Sequence, residues 1–382
     1  MLHDLRKEWD MHFVESGEQA LALMSGTTVD VVVSDMRMPG MNGAQLLNHI
    51  MVRFPKTVRI ILSGHADKDL ILKCVGSTHQ YLAKPCDPQA LRATIARATR
   101  LESSLENEQL RRLVGQMDRL PSIPALYVRI VERLQSSDVA LDEIGEIVAR
   151  DPGMTAKLLK LVNSAFFGLR REISSPAEAV VYLGLDTVKS LVLSIDAFSQ
   201  FDSAGLTGFP IGRFWGHSLN VATAARQIAL LEDAGQNVAD ESFAAGLLHD
   251  TGKLILAFNF PEPYSLCLKK AVETKQSLSV TEQEQFGADH AAVGGYLLGL
   301  WGLPVPVVEA IASHHRPDSV PSRPFSPILV VHAADALTNS TDPAAGLAGV
   351  VDADETCLAE AGVQPRLGLW RRELSSQSVA AA

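Results

Sequence analysis

Three short runs of β-branched and aliphatic residues, separated by helical patterns, place the strongest constraint on how this chain folds. The runs are TVDVVVSD, TVRIILSG and HQYLAKP, and they lie within residues 28–90. The first two are mostly apolar and do not alternate with polar residues, which is typical of strands covered on both faces. The turn MPGMNG and the helical segment AQLLNHIMVRF separate these two runs. This alternation predicts a doubly wound α/β domain, with a parallel sheet and helices on both faces.

The carboxyl ends of these runs carry residues suited to phosphoryl transfer. Asp35 ends the first strand, Ser63 the second and Lys84 the third. Because parallel strands open into one crevice at their carboxyl ends, we expect the three side chains to converge there. A carboxylate can accept a phosphoryl group as an acyl phosphate, whose oxygens a hydroxyl and an ammonium can bind. The pattern therefore predicts a phosphoryl-acceptor site, although a single Asp after a strand usually indicates only a helix cap.

With the MPG turn, Gly43, Tyr81 and the Lys84-Pro85 step, these residues resemble the receiver domain of two-component response regulators over residues 10–95. The resemblance implies that a sensor histidine kinase phosphorylates Asp35. It implies that Ser63 and Tyr81 are the switch residues, that Lys84 binds the phosphate, and that the Lys84–Pro85 peptide is cis. It also implies Mg²⁺ as the cofactor of phosphorylation.

The sequence departs from the receiver pattern at its start. Receivers begin with a strand that ends in a pair of acidic residues, but this chain opens at LHDLRKEWD, which is typical of the first helix, and MHFVES fits the second strand. The first strand would lie in the middle of the flavodoxin-like sheet, where unpaired backbone groups are costly. We therefore expect the natural chain to extend upstream by about 20–40 residues, enough for that strand and its flanks. With Asp35 as the only carboxylate, the sequence as given argues against Mg²⁺ at the receiver.

A helical connector rich in Arg, Glu and Leu follows over residues 88–120. Its apolar residues recur at helical spacing, and the last four have the 3-4-3 spacing of a coiled-coil seam. These residues are Leu91, Ile95, Ala98, Leu101 and Leu105, then Leu110, Leu113, Met117 and Leu120. Two interpretations stay open, an amphipathic connector and a signalling helix that also joins two copies into a homodimer, because fewer than three heptads are present.

Composition narrows the class of protein. The 382 residues, 47% of them hydrophobic, are enough for two or three domains. The net charge of −10 disfavours a general binder of nucleic acids or anionic membranes, and no basic recognition helix indicates DNA binding. The four scattered cysteines indicate reduced thiols. Without an apolar run of about 18 residues or a signal-peptide core, we expect a cytoplasmic protein without membrane contacts.

From LPSIPALY onward the pattern is helical, and histidines and acids stand on apolar faces. His217 shares its helical face with Phe214, Val221 and Ile228, so it points inward. Asp335 lies on the face of Ile328 and Val331, where a buried carboxylate needs a cation or hydrogen-bond donors. His249 and Asp250 follow an apolar run, and His290, His314 and His315 complete the set. Imidazoles and carboxylates drawn from separate inward faces are typical of a di-metal site in a helical bundle.

The ordered set resembles the HD superfamily of metal-dependent phosphohydrolases. The resemblance implies that His217, His249, Asp250 and Asp335 hold a first metal ion. His290, His314 and His315 match the extra histidines of two-metal members, and Lys253 matches their phosphate-facing lysine. Fe, Mn or Zn is then the expected ion. The alternative is that these side chains only hydrogen-bond to each other and tie the bundle together.

Three preceding segments resemble the N-terminal part of an HDOD domain, a relative of the HD hydrolases regarded as regulatory. They are LPSIPALYVRIVERL, IVARDPGMTAKLLKLVNSAFFG and SSPAEAVVYLGLDTVKSLVLS. The cyclic di-GMP-cleaving relatives carry HHE and then GYP, whereas HH here precedes RPDSVPSRPF. The resemblance therefore does not imply cleavage of cyclic di-GMP.

These observations divide the chain into five parts and predict its function. The parts are a receiver (1–90), a helical linker (91–118), an HDOD domain (119–320), a helical extension with Asp335 (321–370) and a flexible tail (371–382). We expect a response regulator that accepts a phosphoryl group on Asp35 and relays the signal to an HDOD output domain acting through a protein partner. The alternative is a metal-dependent phosphohydrolase acting on a nucleotide or another phosphoester.

Overall fold

The structure is a computed structural model. It describes residues 9–64, 77–105, 107–117, 120–122, 124–134, 139–164, 169, 171–193, 199–200, 209, 211–317, 325–341, 358–359 and 363–380.

The N-terminal part is an α/β domain with three parallel strands in the order β1-β2-β3. The strands are β1 (Val31–Asp35), β2 (Val58–Ser63) and β3 (Gln80–Ala83), and the helices are α1 (Gly17–Met24) and α2 (Gly43–Arg53). The register sets Asp35 beside Leu62 and Ser63 beside Ala83, so all three strands end at one edge. The strands predicted from the sequence are confirmed at these positions.

The prediction of a strand at MHFVES is wrong. Residues 10–14 have no regular secondary structure, and Phe13 and Val14 are exposed. Among the described residues, β1 pairs with β2 alone, and Val31, Val32 and Val33 are only half-buried. A strand forms by exchanging hydrogen bonds with a neighbouring strand. In the described part of the chain, no strand lies beside β1 on its free edge, so MHFVES has no neighbour to pair with.

The connector consists of two helices, α3 (Pro88–Ser104) and α4 (Glu108–Gln116). The Asp87 side chain caps α3 and the Asn107 side chain caps α4, so the helical pattern breaks between them. The apolar stripe is buried within this chain; its buried members include Leu91, Ala98, Leu105 and Leu110. Both helices lie against a helix of the C-terminal domain. This packing favours the intramolecular connector, because the face that a coiled coil would use is covered.

The C-terminal part is a helical bundle, as the sequence predicts. Its helices are α5 (Pro124–Leu134), α6 (Leu141–Val148), α7 (Pro152–Val162), α8 (Pro176–Leu183), α9 (Leu185–Leu193), α10 (Ile211–Leu231), α11 (Gln236–Leu248), α12 (Thr251–Asn259), α13 (Pro261–Thr274), α14 (Leu278–Phe286), α15 (His290–Leu300), α16 (Val305–Ser313), α17 (Pro327–Thr341) and α18 (Leu367–Ala380). A two-residue parallel pair, β4 (Pro121–Ser122) and β5 (Ser199–Gln200), is an addition that the helical pattern did not predict.

Helices α10, α11 and α17 pack together, and α12 lies against α15, which in turn lies against α16. The inward face predicted for α10 is confirmed, since Phe214, His217 and Val221 are all buried. The bundle core therefore forms where the histidine-bearing faces meet.

Helix α18 continues to Ala380, into the segment (371–382) that the sequence predicts to be a flexible tail. Trp370 is buried and donates from Nε1 to Glu232 Oε1 at 2.8 Å, and Arg366 Nε reaches the same oxygen at 2.7 Å. These contacts anchor the start of α18 against α10. Within the described residues, no helix combines the length and the hydropathy that crossing a bilayer requires.

The two domains touch along α15. Gln80, at the amino end of β3, donates from Nε2 to Leu300 O at 3.3 Å, and Arg97 of α3 donates to Leu303 O. Asn107 donates to Phe286 O, just before α15 begins. The α/β domain and connector therefore contact the bundle at both ends of this helix.

A buried arginine joins β2 to the connector. Arg59 is fully buried and donates from Nη2 to Gly115 O at 2.7 Å and from Nε to Ser77 O at 2.6 Å. The backbones are close here, because a Cβ on Gly115 would lie 2.2 Å from Pro55 O. The connector is thus held directly against the end of the sheet opposite Asp35.

Candidate functional site

The carboxyl edge of the sheet brings Asp35 and Lys84 together. Lys84 Nζ lies 2.7 Å from Asp35 Oδ2, and both side chains are about two-fifths exposed, at 41% and 43%. The Lys84 backbone N–H donates to Ser63 O at 2.8 Å, which carries the lysine from β3 to the crevice. The Lys84–Pro85 peptide is cis. An accessible carboxylate beside an ammonium can accept a phosphoryl group and stabilise the added charge.

The other predicted switch residues, Ser63 and Tyr81, are buried. Ser63 is 1% exposed, and its Oγ has no hydrogen-bond partner in the described part of the chain. Tyr81 is 2% exposed, on β3. Gly43, where α2 begins, cannot carry a side chain, because its Cβ would lie 2.2 Å from Asp35 O. The Ser63 hydroxyl is therefore available for a new hydrogen bond at the crevice.

The second site gathers seven side chains from five parts of the bundle, which we call the His–Asp cluster. Its members are His217 of α10, His249 and Asp250 between α11 and α12, His290 at the start of α15, His314 and His315 after α16, and Asp335 of α17. All of them are at most 4% exposed except His315, which is half-buried. The structure thus brings together every imidazole and carboxylate predicted from the sequence.

The two carboxylates lie within a few ångströms of the imidazoles. His217 Nε2 is 3.1 Å from Asp335 Oδ1 and 3.7 Å from Asp250 Oδ2. His249 Nε2 is 3.3 Å from Asp250 Oδ2, and His290 Nε2 is 3.2 Å from Asp250 Oδ1. Lys253 of α12 also belongs to the site, since its Nζ contacts Asp250 Oδ2 at 2.6 Å. Asp250 is therefore the centre of the cluster.

Backbone carbonyls orient two of the imidazoles. His249 Nδ1 lies 2.7 Å from Gly246 O, and His314 Nδ1 lies 2.7 Å from Ile311 O. Because a carbonyl only accepts, each Nδ1 carries a proton, and each Nε2 is directed at the centre of the cluster. This tautomer is the one in which Nε2 can bind a metal ion.

Several buried polar atoms of the cluster lack hydrogen bonds. Among the described residues, His249 Nε2, His314 Nε2 and Asp250 Oδ1 have no hydrogen-bond partner. Ligand-type atoms lie within 4.8 Å of one another in three groups: His290, His314 and His315; His217, His249 and Asp335; and His249, Asp250 and His314. Leaving such atoms unsatisfied is costly, and a cation would satisfy them. The donors therefore fit a divalent metal ion of the kind that binds imidazole and carboxylate.

The acids and Lys253 of the cluster are held in their charged forms. Burial raises the pKa of Asp250, but the positive charges of His249 and Lys253 outweigh burial and hold it well below its usual range. The hydrogen bond from His217 and the charge of His249 likewise lower the pKa of Asp335 against burial. Burial lowers the pKa of Lys253, yet Asp250 and Asp335 raise it overall. Asp250 and Asp335 are therefore present as carboxylates, the form that binds a cation.

Burial acts the other way on the outer histidines. It lowers the pKa of His314 and His315 well below 6.5, and their imidazole neighbours add to the effect. Both rings are therefore neutral near pH 7, which is the form that binds metal ions.

Close backbone contact between α12 and α15 makes this arrangement possible. A Cβ on Gly252 would lie only 1.9 Å from His290 O, and one on Gly294 would lie 3.1 Å from Gly252 N. The glycine in HDTGK therefore brings His290 next to Asp250.

Three residues around the cluster were not identified from the sequence. Glu282 is fully buried and contacts His290, Tyr264 donates to Glu282, and His332 Nδ1 lies 2.8 Å from His314 O. Glu282 could have been found by the criterion that identified Asp335. It lies between Leu278 and Phe286 at helical spacing, on the buried face of α14.

Comparisons with known proteins agree with this division of the chain. Residues 120–317 match the HDOD domain family, and residues 2–96 match the response regulator receiver domain family. The HDOD match covers about half of the chain and includes every member of the His–Asp cluster except Asp335.

Related proteins are found for both parts. An uncharacterized protein of Treponema pallidum is 27% identical over 217 residues, covering 57% of this chain and 41% of that protein. The DNA-binding transcriptional regulator NtrC of Salmonella typhimurium is 33% identical over 138 residues, covering 35% of this chain and 29% of NtrC. The chain thus spans less than half the length of these relatives.

A solved structure with both sequence and fold similarity is the MmoQ response regulator of Methylococcus capsulatus. It is 27% identical, its TM-score is 0.52, and the alignment covers 65% of this chain and 94% of that one. From the two matched families, the fold and the site, the chain belongs to the HDOD domain family and carries a response regulator receiver domain in front of its HDOD domain.

Proposed function

We propose that this protein is a response regulator in which phosphorylation of Asp35 by a sensor histidine kinase changes how the HDOD domain binds a protein partner. The observation that carries the proposal is the Asp35–Lys84 pair, at 2.7 Å, on the carboxyl edge of the receiver sheet. An acyl phosphate on Asp35 would place its oxygens next to this ammonium and near the unpaired Ser63 hydroxyl.

The contact between the domains supports a direct route for the signal. Ser63 and Arg59 lie on the same strand, β2, and Arg59 holds the connector through Gly115 O. Gln80 of β3 contacts Leu300 at the end of α15, whereas His290 of the cluster begins α15. A shift of the sheet therefore acts on a helix that also carries a cluster residue, in addition to any movement of the connector.

The same geometry supports an output through a protein partner. The cluster lies inside the bundle, and only His315 and Lys253 have more than a few per cent of their surface exposed. The HDOD domain would then transmit the signal by a change in the positions of its helices, which a partner detects, rather than by turnover of a substrate at the cluster.

A bound metal ion has a defined place in this proposal. His217, His249, Asp250 and Asp335 would hold it, with His290, His314 and His315 for a second ion. When bound, the ion would neutralise the buried carboxylates and could polarise a phosphoester oxygen. The chain's own residues supply the orientation, since His249 and His314 are fixed by backbone carbonyls.

The experiment compares the full chain with Asp35→Asn and with Asp30→Asn before and after beryllofluoride and Mg²⁺. Asp30 is exposed just ahead of β1, so it provides the same substitution away from the crevice. We expect hydrogen exchange in residues 286–303 to change in the wild type and in Asp30→Asn, but not in Asp35→Asn. Pull-down of partners should follow the same pattern. Identical exchange in all three proteins with and without beryllofluoride would refute the proposal.

Hydrolysis of a phosphoester is a second candidate, favoured by the three groups of ligand-type atoms and by Lys253 beside Asp250. The burial of the cluster disfavours it, because a substrate must reach the metal ion. A phosphodiesterase screen of metal-loaded protein discriminates between the two functions. Metal-dependent turnover that His249→Ala and Asp250→Ala both abolish would establish the hydrolase.

A further inference from the structure

We propose that Glu282 and Tyr264 are positioning residues that fix the imidazole of His290 with its Nε2 directed into the His–Asp cluster. The inference rests on the proposed metal site and is independent of phosphorylation at Asp35.

Glu282 accepts hydrogen bonds from two groups of His290. One carboxylate oxygen, Oε2, lies 2.5 Å from His290 Nδ1 and also accepts the His290 backbone N–H at 2.8 Å. The other oxygen, Oε1, accepts the Tyr264 hydroxyl at 2.9 Å. All three residues are at most 1% exposed. Since both oxygens are engaged, the carboxylate has one orientation, and so does the ring that it holds.

The opposite side of the ring faces the cluster. His290 Nε2 lies 3.2 Å from Asp250 Oδ1 and 2.8 Å from His315 Nε2. Because Nδ1 donates to Glu282, Nε2 is the nitrogen left to bind a metal ion together with His314 and His315. Rotation of the ring would remove one ligand from this group.

His290 also differs from the other oriented imidazoles. His249 and His314 donate to neutral backbone carbonyls, whereas His290 donates to a carboxylate. A negative partner makes the imidazole a stronger donor, and losing such a partner typically weakens metal affinity by about 10–100-fold. Glu282 therefore sets both the direction and the donor strength of His290, and α13 supplies the hydroxyl that holds Glu282.

The chain offers a matched control for Glu282→Gln. Glu284 lies two residues further along α14, is about half exposed and pairs with Lys270 at the surface. Glu284→Gln makes the same chemical change on the same helix without touching the cluster. Tyr264→Phe is a milder variant, because it removes only the hydroxyl.

The first measurement is titration of the full chain with Co²⁺ alone, by calorimetry and visible absorption. We expect Glu282→Gln to weaken one Co²⁺ site by about 10–100-fold and to change its absorption bands. Tyr264→Phe should weaken it less, and Glu284→Gln should not weaken it. Binding by Glu282→Gln and Tyr264→Phe that equals the wild type would overturn the inference.

The second measurement needs no metal ion. In metal-free protein with ¹⁵N-labelled histidine, we expect a strongly downfield Nδ1 proton on His290, assigned with His290→Gln. It should move upfield in Glu282→Gln and stay in place in Glu284→Gln. If the wild type binds no Co²⁺, the proposed metal site fails, but this resonance still decides the positioning role. An His290 without an Nδ1 proton would refute it.

Discussion

The buried histidines of this protein differ by what faces their ring nitrogens. Burial lowers the pKa of His290, but the negative charge of Glu282 and the contacts of the ring with the Asp250 and Glu282 carboxylates outweigh burial and raise it to about 9. In His79, burial lowers the pKa, and the charges of Arg59 and Lys160 lower it further, well below 6.5. Arg59 Nη2 lies 2.8 Å from His79 Nε2, and the Arg59 backbone N–H lies 3.2 Å from Nδ1. The charges that face a buried imidazole therefore decide the direction in which its pKa moves.

His79 makes the stability of the receiver depend on pH. Below pH 6.5 the unfolded chain binds a proton at this residue and the folded chain does not, so stability is lost as the pH falls and is fully present above 6.5. We expect the free energy of unfolding to fall by up to about 1.4 kcal/mol per pH unit from this residue. Urea unfolding of the wild type and His79→Gln between pH 8 and 5 measures this dependence.

His314 and His315 have lowered pKa values and contribute in the same direction, but both proteins contain them. The free energy of unfolding of His79→Gln should therefore decline less steeply with falling pH than that of the wild type, and the difference is the contribution of His79. Parallel declines in the two proteins would contradict the neutral state of the folded His79.

At the scale of elements, close contact between helix backbones organises the His–Asp cluster. Gly252 of α12 meets His290 O of α15, and Gly295 of α15 faces Ala312 of α16, where a Cβ would lie at 2.7 Å from the Ala312 Cβ. Small residues at these crossings let three helices approach closely enough for their histidines to share a centre. A side chain at Gly252 would therefore change the distance between α12 and α15 without replacing any residue of the cluster.

Gly252→Ala should separate α12 from α15. The new Cβ would meet the backbone of His290, which cannot rotate away, so we expect the free energy of unfolding to fall by about 1–3 kcal/mol. Calorimetry or urea unfolding measures the change.

Gly216→Ala in α10 is the control, since nothing lies within 4 Å of its Cβ position and its backbone is helical. It should raise stability by about 0.5–1 kcal/mol, because alanine favours the helix. Equal effects of the two substitutions would show that the contact at Gly252 is not tight.

At the scale of the whole molecule, α15 lies between the receiver contact and the cluster. Its 11 residues span about 16 Å, from His290 to Leu300. Gln80 donates to a carbonyl in the last turn of α15, and Arg97 donates to a carbonyl just after it. Asn107 donates to a carbonyl just before the first turn of α15. The receiver and the output domain therefore share a boundary made of specific hydrogen bonds to backbone carbonyls.

Gln80→Glu should loosen this boundary. It replaces a donor with a carboxylate that faces Leu300 O, at a cost of about 1–3 kcal/mol. We expect hydrogen exchange in residues 296–306 to become faster, by about tenfold for each 1.4 kcal/mol. The control is Gln89→Glu, at an exposed position in the first turn of α3. Unchanged exchange in Gln80→Glu would show that the Gln80 contact does not hold the domains together.

Local pattern alone determined much of this protein. Mostly apolar runs located β1 and β2, and the short run HQYLAKP located β3. Helical spacing placed His217 and Asp335 on inward faces, because periodicity depends only on neighbouring residues. MHFVES has the residues of a strand but is not one, since a strand also requires a partner.

Which atoms meet depends on tertiary packing. It joined Arg59 to Gly115, set α15 between two domains, and placed Glu282, which lies in a mostly polar segment, behind His290. Contacts between residues far apart in the chain depend on how faces pack and on how closely backbones approach. Neither is encoded in the spacing of residues along a single helix or strand.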